Sequence, residues 1–346
     1  MPLTHTEFFA RVKRGEIARA YLFEGLEEYV KESALEALRR AILPQGLEPL
    51  NESVLTNPTA SALVECAETL PVLADRRLVV VRECALVTAE KAAANAQDAQ
   101  RLASYLDALP ETVCIVFYCK GLADGRKKLT QALCRKGAAV RFDPLGDAEL
   151  VKWISARLRA QGKTIAPAVA LHLSFVSGRA LAGLSQEIGK LAAYVGERQE
   201  ITQEDVERVA TRTAECTVFA LADALVAGRE AEAFQLLNAL VERGEGRIGA
   251  LAMIARQYRN MLHAKLLNSA GVPQDQIAAK LGVPAFAVRK LLSQAQKESA
   301  AALREKLDLC VETDYAIKSG RLREEAGLSR AMLRLCAHVS AAQGQQ

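Results

Sequence analysis

The stretch Ala20-Tyr21-Leu22-Phe23-Glu24-Gly25-Leu26-Glu27-Glu28-Tyr29-Val30-Lys31-Glu32 decides how the first part of the chain folds. It opens as a short apolar run, turns at a glycine, and continues with Val30, Ala34, Leu35, Leu38 and Ile42 on one helical face. Strand, turn and helix in this order can be laid on G-x-x-x-x-G-K-[ST], the loop that cradles phosphates. Gly25 and Lys31 match. Val30 stands where the second glycine belongs, and Glu32 where the metal-binding hydroxyl belongs. The second glycine lets backbone N–H groups approach the phosphates, and a β-branched valine resists the conformations required. Glu27, Glu28 and Glu32 would repel a polyphosphate. Two readings stay open on these residues: a decayed phosphate loop, or a chance match on an unrelated sheet.

Further along, Leu78-Val79-Val80-Val81, Val113-Cys114-Ile115-Val116-Phe117-Tyr118 and Ala138-Ala139-Val140-Arg141-Phe142 are continuous apolar runs. Such runs separated by helices predict a parallel sheet covered on both faces. A magnesium–ATP site wants an acidic residue at the end of an apolar strand. Here Val81 runs into Arg82 and then Glu83. An arginine at that point disfavours a bound cation, a second departure from an active ATPase. The alanine-rich segment Ala89–Leu106 predicts a surface helix leading into the strand at Val113.

Strands then stop. Pro144 and Gly146 mark a boundary, and Asp147 is the expected N-cap of a helix carrying Leu150, Val151, Ile154 and Leu158. Leu181, Leu184, Ile188, Leu191 and Val195 repeat at helical spacing, and Thr202 with Asp205 forms a capping-box pattern. Further helices are expected over Val218–Val226, Ala231–Glu242, Ile248–Leu267, Gln274–Leu281, Pro284–Gln294, Ala301–Ile317 and Ser329–Val339. The expected organisation is an α/β domain over 1–143, a small helical domain over 144–212 and an all-α domain over 213–346.

Composition narrows the chemistry. The 346 residues carry a net charge of +4, which permits a local basic patch and proves no nucleic-acid binding. None of the eight cysteines forms a C-x-x-C pair, which argues against a zinc ribbon or finger. Reduced, buried thiols suit a reducing cytosol. The four histidines are widely separated. There is neither a Gly-x-Ser-x-Gly elbow nor a His-Glu-x-x-His, so a hydrolase is disfavoured. No secretory signal pattern and no bilayer-length apolar stretch is present, so a cytoplasmic protein without a membrane partner is expected.

The order of segments resembles the delta subunit family of the bacterial replicative clamp loader, part of the DNA polymerase III holoenzyme. The pieces are Tyr21–Gly25, Glu68–Val81, the basic turn Asp124-Gly125-Arg126-Lys127-Lys128-Leu129, and Trp153-Ile154. They continue with Gly162–Ile165, Glu187–Leu191, Arg256-Gln257-Tyr258-Arg259 and Asp314–Gly320. The resemblance implies an AAA+-like α/β domain with a degenerate phosphate loop at Gly25, Val30, Lys31 and Glu32. A small helical lid and an all-α collar that assembles subunits would follow. It implies no catalytic site, cofactor or metal in this chain, although the holoenzyme is a DNA-directed DNA polymerase, a nucleotidyltransferase. The implied partners are a sliding clamp, other loader subunits of the ATPase and delta-prime type, and primed DNA. In related active ATPases an arginine near Gly178 senses the γ-phosphate. Leu181 takes its place here, beside Arg179.

Leu70, Pro71, Val72 and Leu73 stand before a strand, with Asp75, Arg76 and Arg77 behind them. By residues alone this is either a helix end folded into the core or an exposed plug with a charged rim. The resemblance implies the plug, a wedge that enters a pocket on the clamp, although the family pattern often has phenylalanine in this segment. It also implies that Tyr315 can stack on a base near the primer–template junction. A half-buried collar residue is the alternative. Arg126, Lys127 and Lys128 contact DNA phosphate or another subunit, or are a solvated turn. Gln274–Pro284 looks like a helix-turn-helix, which offers a DNA-binding regulator as a rival function. Yet the following Ala285-Phe286-Ala287-Val288 suits packing better than base readout, while Arg289 and Lys290 can touch phosphate. An active AAA+ ATPase motor is the other rival.

Overall fold

The apolar runs become the inner strands of one sheet. The computed structural model describes residues 2–88, 96–136, 139–283 and 285–337. Residues 89–95 of the expected alanine-rich helix, Ala138, Pro284 and the expected helix end at Val339 lie outside the described residues. Contacts group the chain into two units, Met1–Trp153 and Ile154–Gln346.

The first unit runs β1 (Leu3–Thr4), α1 (His5–Lys13), β2 (Ala20–Glu24), α2 (Glu28–Ile42), α3 (Glu48–Asn51), β3 (Glu52–Thr56), α4 (Ala60–Glu68), β4 (Arg77–Arg82), α5 (Ala96–Tyr105), β5 (Val113–Tyr118), α6 (Lys128–Arg135) and β6 (Ala139–Arg141). Among the described residues the sheet has six strands in the order β1-β6-β2-β5-β4-β3. Every pairing is parallel, with Leu22 opposite Phe117 and Val79 opposite Ile115. The inner strands are buried on both faces, which is why they read as unbroken apolar runs. On one face Val79, Val81, Ile115 and Phe117 pack with Leu63 of α4, Leu102 of α5 and Leu129 and Leu133 of α6. Elsewhere Phe8 of α1 makes edge-to-face contacts with Tyr21, Phe23 and Phe142.

Two elements of this unit have weak sequence signals. Strand β3 is an edge of mixed character, Glu-Ser-Val-Leu-Thr. Helix α1 is only nine residues long, and its start is fixed by a capping box in which Thr4 accepts from the Glu7 N–H while the Glu7 carboxylate takes the Thr4 N–H.

The chain continues through α7 (Asp147–Arg159), β7 (Thr164–Ile165), α8 (Pro167–Ser177), α9 (Leu181–Tyr194), β8 (Glu200–Ile201) and α10 (Gln203–Val209). Asp147 is the first helical residue and not the cap expected above. The neighbouring Gly146 N–H donates to Glu149 Oε2 at 3.1 Å, so Glu149 does the capping. The expectation that strands stop needs a small correction, because β7 and β8 pair in parallel. The Thr202–Asp205 capping box is formed as read. Then come α11 (Ala214–Val226), α12 (Glu230–Glu242), α13 (Arg247–Ser269), α14 (Gln274–Leu281), α15 (Ala285–Gln296), α16 (Ala300–Lys318) and α17 (Glu324–Ala337), which begins before the expected Ser329. Leu221, Leu225, Ile254, Tyr258, Met261, Leu291, Leu303 and Met332 share their core. Among the described residues no single helix is long and apolar enough to cross a membrane.

Candidate partner interface and a filled phosphate loop

The turn after β2 is fixed by its neighbours. Gly25 has φ 118°, and its N–H donates to Gly121 O at 2.7 Å. A Cβ added there would lie 2.1 Å from Phe142 O, so only glycine fits. The Glu27 N–H donates to the same Phe142 carbonyl at 3.0 Å.

The loop's lysine is engaged by its own chain. Lys31 is fully buried, and its ammonium donates to Cys119 O at 2.7 Å and to Glu28 Oε1 at 2.5 Å. The Tyr118 hydroxyl donates to the other Glu28 oxygen at 2.9 Å. Arg82 donates to Glu32 Oε1 at 3.0 Å, and its guanidinium lies 4.5 Å from the Tyr118 ring centroid. Of the three residues that depart from the ATPase pattern, Arg82 and Glu32 are thus paired with each other. Burial, and then the bond to the Glu28 carboxylate, push the Tyr118 phenol far up, so it stays a donor at any physiological pH. Val30, in place of the second glycine, is buried. Loop and network form a closed set of charges with the lysine's function redirected inward. Among the described residues no group of three or more His, Cys, Asp or Glu side chains is arranged to hold a metal ion.

The segment after α4 is held outward. Leu70 is 73% exposed, Val72 45% and Leu73 84%, with Pro71 half-buried. The sequence alternative of a helix end folded into the core is not the arrangement found. Burying such side chains is favourable, so a cluster of them held exposed is a candidate partner surface. The cluster is anchored from beneath. Val72 exchanges two hydrogen bonds with the buried Asn51, accepting from Nδ2 at 2.9 Å and donating to Oδ1 at 2.7 Å. Arg77 reaches Thr69 O at 3.4 Å and Ser53 Oγ at 2.9 Å, and Arg76 reaches Ile17 O at 3.0 Å. Leu50 and Val54, on α3 and β3, are exposed as well. None of Leu50, Asn51 or Val54 was singled out from the sequence. The segment Glu52–Thr56 reads Glu-Ser-Val-Leu-Thr, with no period-2 alternation to point to them.

The structure separates the expected DNA-contact residues. Arg126 is exposed but turned back on Asp124, with Nε and Nη2 each 2.9 Å from its carboxylate. That grip holds the Asp124 carboxyl down at about 2. Lys127 is half-buried, and its ammonium donates to Ala85 O at 2.5 Å. Lys128 is exposed and reaches Gln100 Oε1 at 3.1 Å. Tyr315 is 60% exposed, with the Arg321 guanidinium 5.4 Å from its ring centroid.

In the helix-turn-helix segment, Gly282 closes α14 in the left-handed region at φ 63°. Ala287, Val288 and Leu291 of α15 are buried. The side chains of Ala285 and Phe286 lie outside the described residues. Arg289 is exposed, whereas the Lys290 ammonium sits 4.6 Å from the Phe175 ring centroid and 3.9 Å from Asp223. A cavity of about 450 Å³ borders this turn, lined by Arg256, Arg259, Asn260 and Phe175 among others.

A parallel sheet with β2 between β6 and β5, a loop lysine engaged by its own chain, and a helical second unit define an AAA+-like protein whose Lys31 is not free to meet a phosphate. Residues 21–143 match the family described as DNA polymerase III, delta subunit, and residues 215–335 match its C-terminal domain. The chain is 30% identical over 329 residues to DNA polymerase III subunit delta of Bacillus subtilis, covering 94% of each chain. A solved structure of the Bacillus subtilis DNA clamp loader delta protein superposes with a TM-score of 0.63 and 28% identity, covering 96% of this chain and 99% of that one. The chain belongs to the DNA polymerase III delta subunit family.

Proposed function

We propose that this chain is the clamp-loader subunit that binds the sliding clamp and promotes its opening for loading onto primed DNA during replication, without hydrolysing ATP itself. The observation that carries this reading is the exposed Leu70–Leu73 segment, anchored on a scaffold whose phosphate-loop lysine is engaged by its own chain. Fully burying an aliphatic side chain contributes about 1.5–3 kcal/mol, so Leu70, Val72 and Leu73 together can offset much of the ordering cost of association. Opening follows from differential binding. If the wedge fits the clamp better when one ring interface is sprung, binding shifts the ring towards that state. The exposed projection suits insertion into an apolar pocket, even with aliphatic residues in place of an aromatic one.

The other loader subunits, of the ATPase and delta-prime type, would assemble through the helical region and control access to the wedge by binding ATP themselves. Within the second unit we place the lid up to residue 212 and the collar from 213. Tyr315, Lys128 and Arg126 are the candidates for DNA contact, whereas Lys127 serves the fold through Ala85. A cytoplasmic site of action follows from this reading. The helix-turn-helix regulator is disfavoured because the described start of α15 faces the core.

The test is equilibrium binding to the sliding clamp without nucleotide, beside a folded Leu70→Ser, Leu73→Ser variant. Binding by the native chain and its loss in the variant are expected. Equal binding by both would remove the wedge from the mechanism. Labelled ATP should show no saturable binding, and saturable binding would revive the motor.

A further inference from the structure

We infer, building on the wedge reading above, that Asn51 is its positioning residue, holding Leu70–Leu73 in the projecting conformation before any partner arrives. Asn51 is polar yet fully buried. A buried amide is tolerated only when its donors and acceptor are used. Its partners are backbone groups: Nδ2 donates to Leu47 O at 3.1 Å and to Val72 O at 2.9 Å, and Oδ1 accepts from the Val72 N–H at 2.7 Å. The amide orientation follows from the chemistry, since the Val72 N–H needs an oxygen and its carbonyl needs an NH2.

The pair of bonds to Val72 copies what a neighbouring strand would offer. One side chain thereby replaces a β-bridge across 21 residues of sequence. The segment needs that help. Helix α4 ends at Glu68, and Pro71 has no N–H to donate. Leu73 sits at φ 51°, a left-handed conformation that costs a leucine free energy and persists only where the surroundings impose it. Asn51 lies at the end of α3, immediately before β3, and β3 is locked to β4 with Glu52 opposite Leu78. The tether is therefore rooted in the sheet. Arg77, the first residue of β4, secures the near end of the segment at Thr69 O. Holding the turn beforehand lowers the ordering cost of binding, because freezing even one backbone residue is worth a sizeable factor in affinity.

The experiment measures clamp affinity and amide exchange together, on the native chain, Asn51→Ala, Asn51→Asp and the Leu70→Ser, Leu73→Ser variant. In Asn51→Ala the Val72 amide should exchange on the order of tenfold faster or more, Val79 of β4 should be unchanged, and clamp affinity should fall on the order of tenfold. Asn51→Asp keeps the acceptor for the Val72 N–H but, when ionised, has no donor for its carbonyl. Its affinity relative to the native chain should rise as the pH falls and the carboxyl gains a proton, a dependence that loss of packing alone would not produce. If Asn51→Ala fails to fold, this pH-dependent ratio carries the test. Native affinity in Asn51→Ala, or a pH-independent ratio for Asn51→Asp, while Leu70→Ser, Leu73→Ser abolishes binding, would overturn the positioning role and leave the wedge standing. Native binding by Leu70→Ser, Leu73→Ser would overturn both.

Discussion

Lys31 has the residue type and position of a phosphate-binding lysine and the environment of a structural one. In an open ATPase loop its replacement removes nucleotide binding and leaves the fold alone. Here it is fully buried between Glu28 and the Cys119 carbonyl, so the opposite is expected. Lys31→Ala should lower stability by about 1–3 kcal/mol, because the Cys119 carbonyl is left without a donor. Thermal or urea unfolding checks this. Asp205 offers a second single-residue test. Its bond from Arg198, reinforced by Thr202, holds its carboxyl down from 3.8 to about 2. A carboxyl lowered on folding adds stability that is complete above about pH 4 and is lost as the pH falls towards 2. Urea midpoints between pH 5 and 2 should show that acid slope, and Asp205→Asn should flatten it. The sequence made Asp205 legible through its spacing from Thr202. The redirected role of Lys31 was not legible, because Cys119 and Tyr118 reach it only after β2 and β5 are side by side.

At the scale of elements, what could be read followed burial. Strands β2, β4 and β5 are covered on both faces and appear as unbroken apolar runs. Strands β1 and β3 are edges, and β7 and β8 have two residues each, too few for any period to emerge. The Leu70–Leu73 segment was visible as an apolar cluster ahead of a strand, but its exposure was not, since the contacts that Asn51 and Arg77 make with it form only through the folded sheet. Helix α15 carries a prediction at this scale. Val288 is fully buried whereas Arg289 is exposed. Val288→Asp should destabilise the second unit by at least about 3 kcal/mol, as an unpaired charge would enter an apolar core. Arg289→Ala should stay within about 0.5 kcal/mol. A DNA-reading helix would show the reverse emphasis, with Arg289 governing DNA affinity. Thermal melts and DNA titration of both variants distinguish the two roles.

Across the whole molecule, the eight cysteines report on both cores. Cys84, Cys114, Cys119, Cys216, Cys310 and Cys336 are buried, Cys66 is half-buried and Cys134 is exposed. Burial pushes the thiols of Cys114, Cys119 and Cys310 up to about 12, which leaves almost no reactive thiolate near neutral pH. Brief alkylation of the native chain should therefore label Cys134 first and Cys66 next. The other six should react only after denaturant opens their unit, and mass spectrometry of the modified peptides reads the order. Fast labelling of Cys310 or Cys114 would contradict the packing described for the corresponding core.

The pairing of Arg82 with Glu32 also bears on what restoring the motif would achieve. Restoring the missing motif letters by Val30→Gly and Glu32→Thr would free Arg82 from its carboxylate while leaving Lys31 tied to Glu28 and Cys119. Neither change would release the lysine for a phosphate. Gly25, meanwhile, is retained by the Phe142 carbonyl whatever the loop binds. The glycine of the loop is therefore a mark of how tightly the sheet's end is packed, and its presence in a sequence is no sign that a nucleotide is held there.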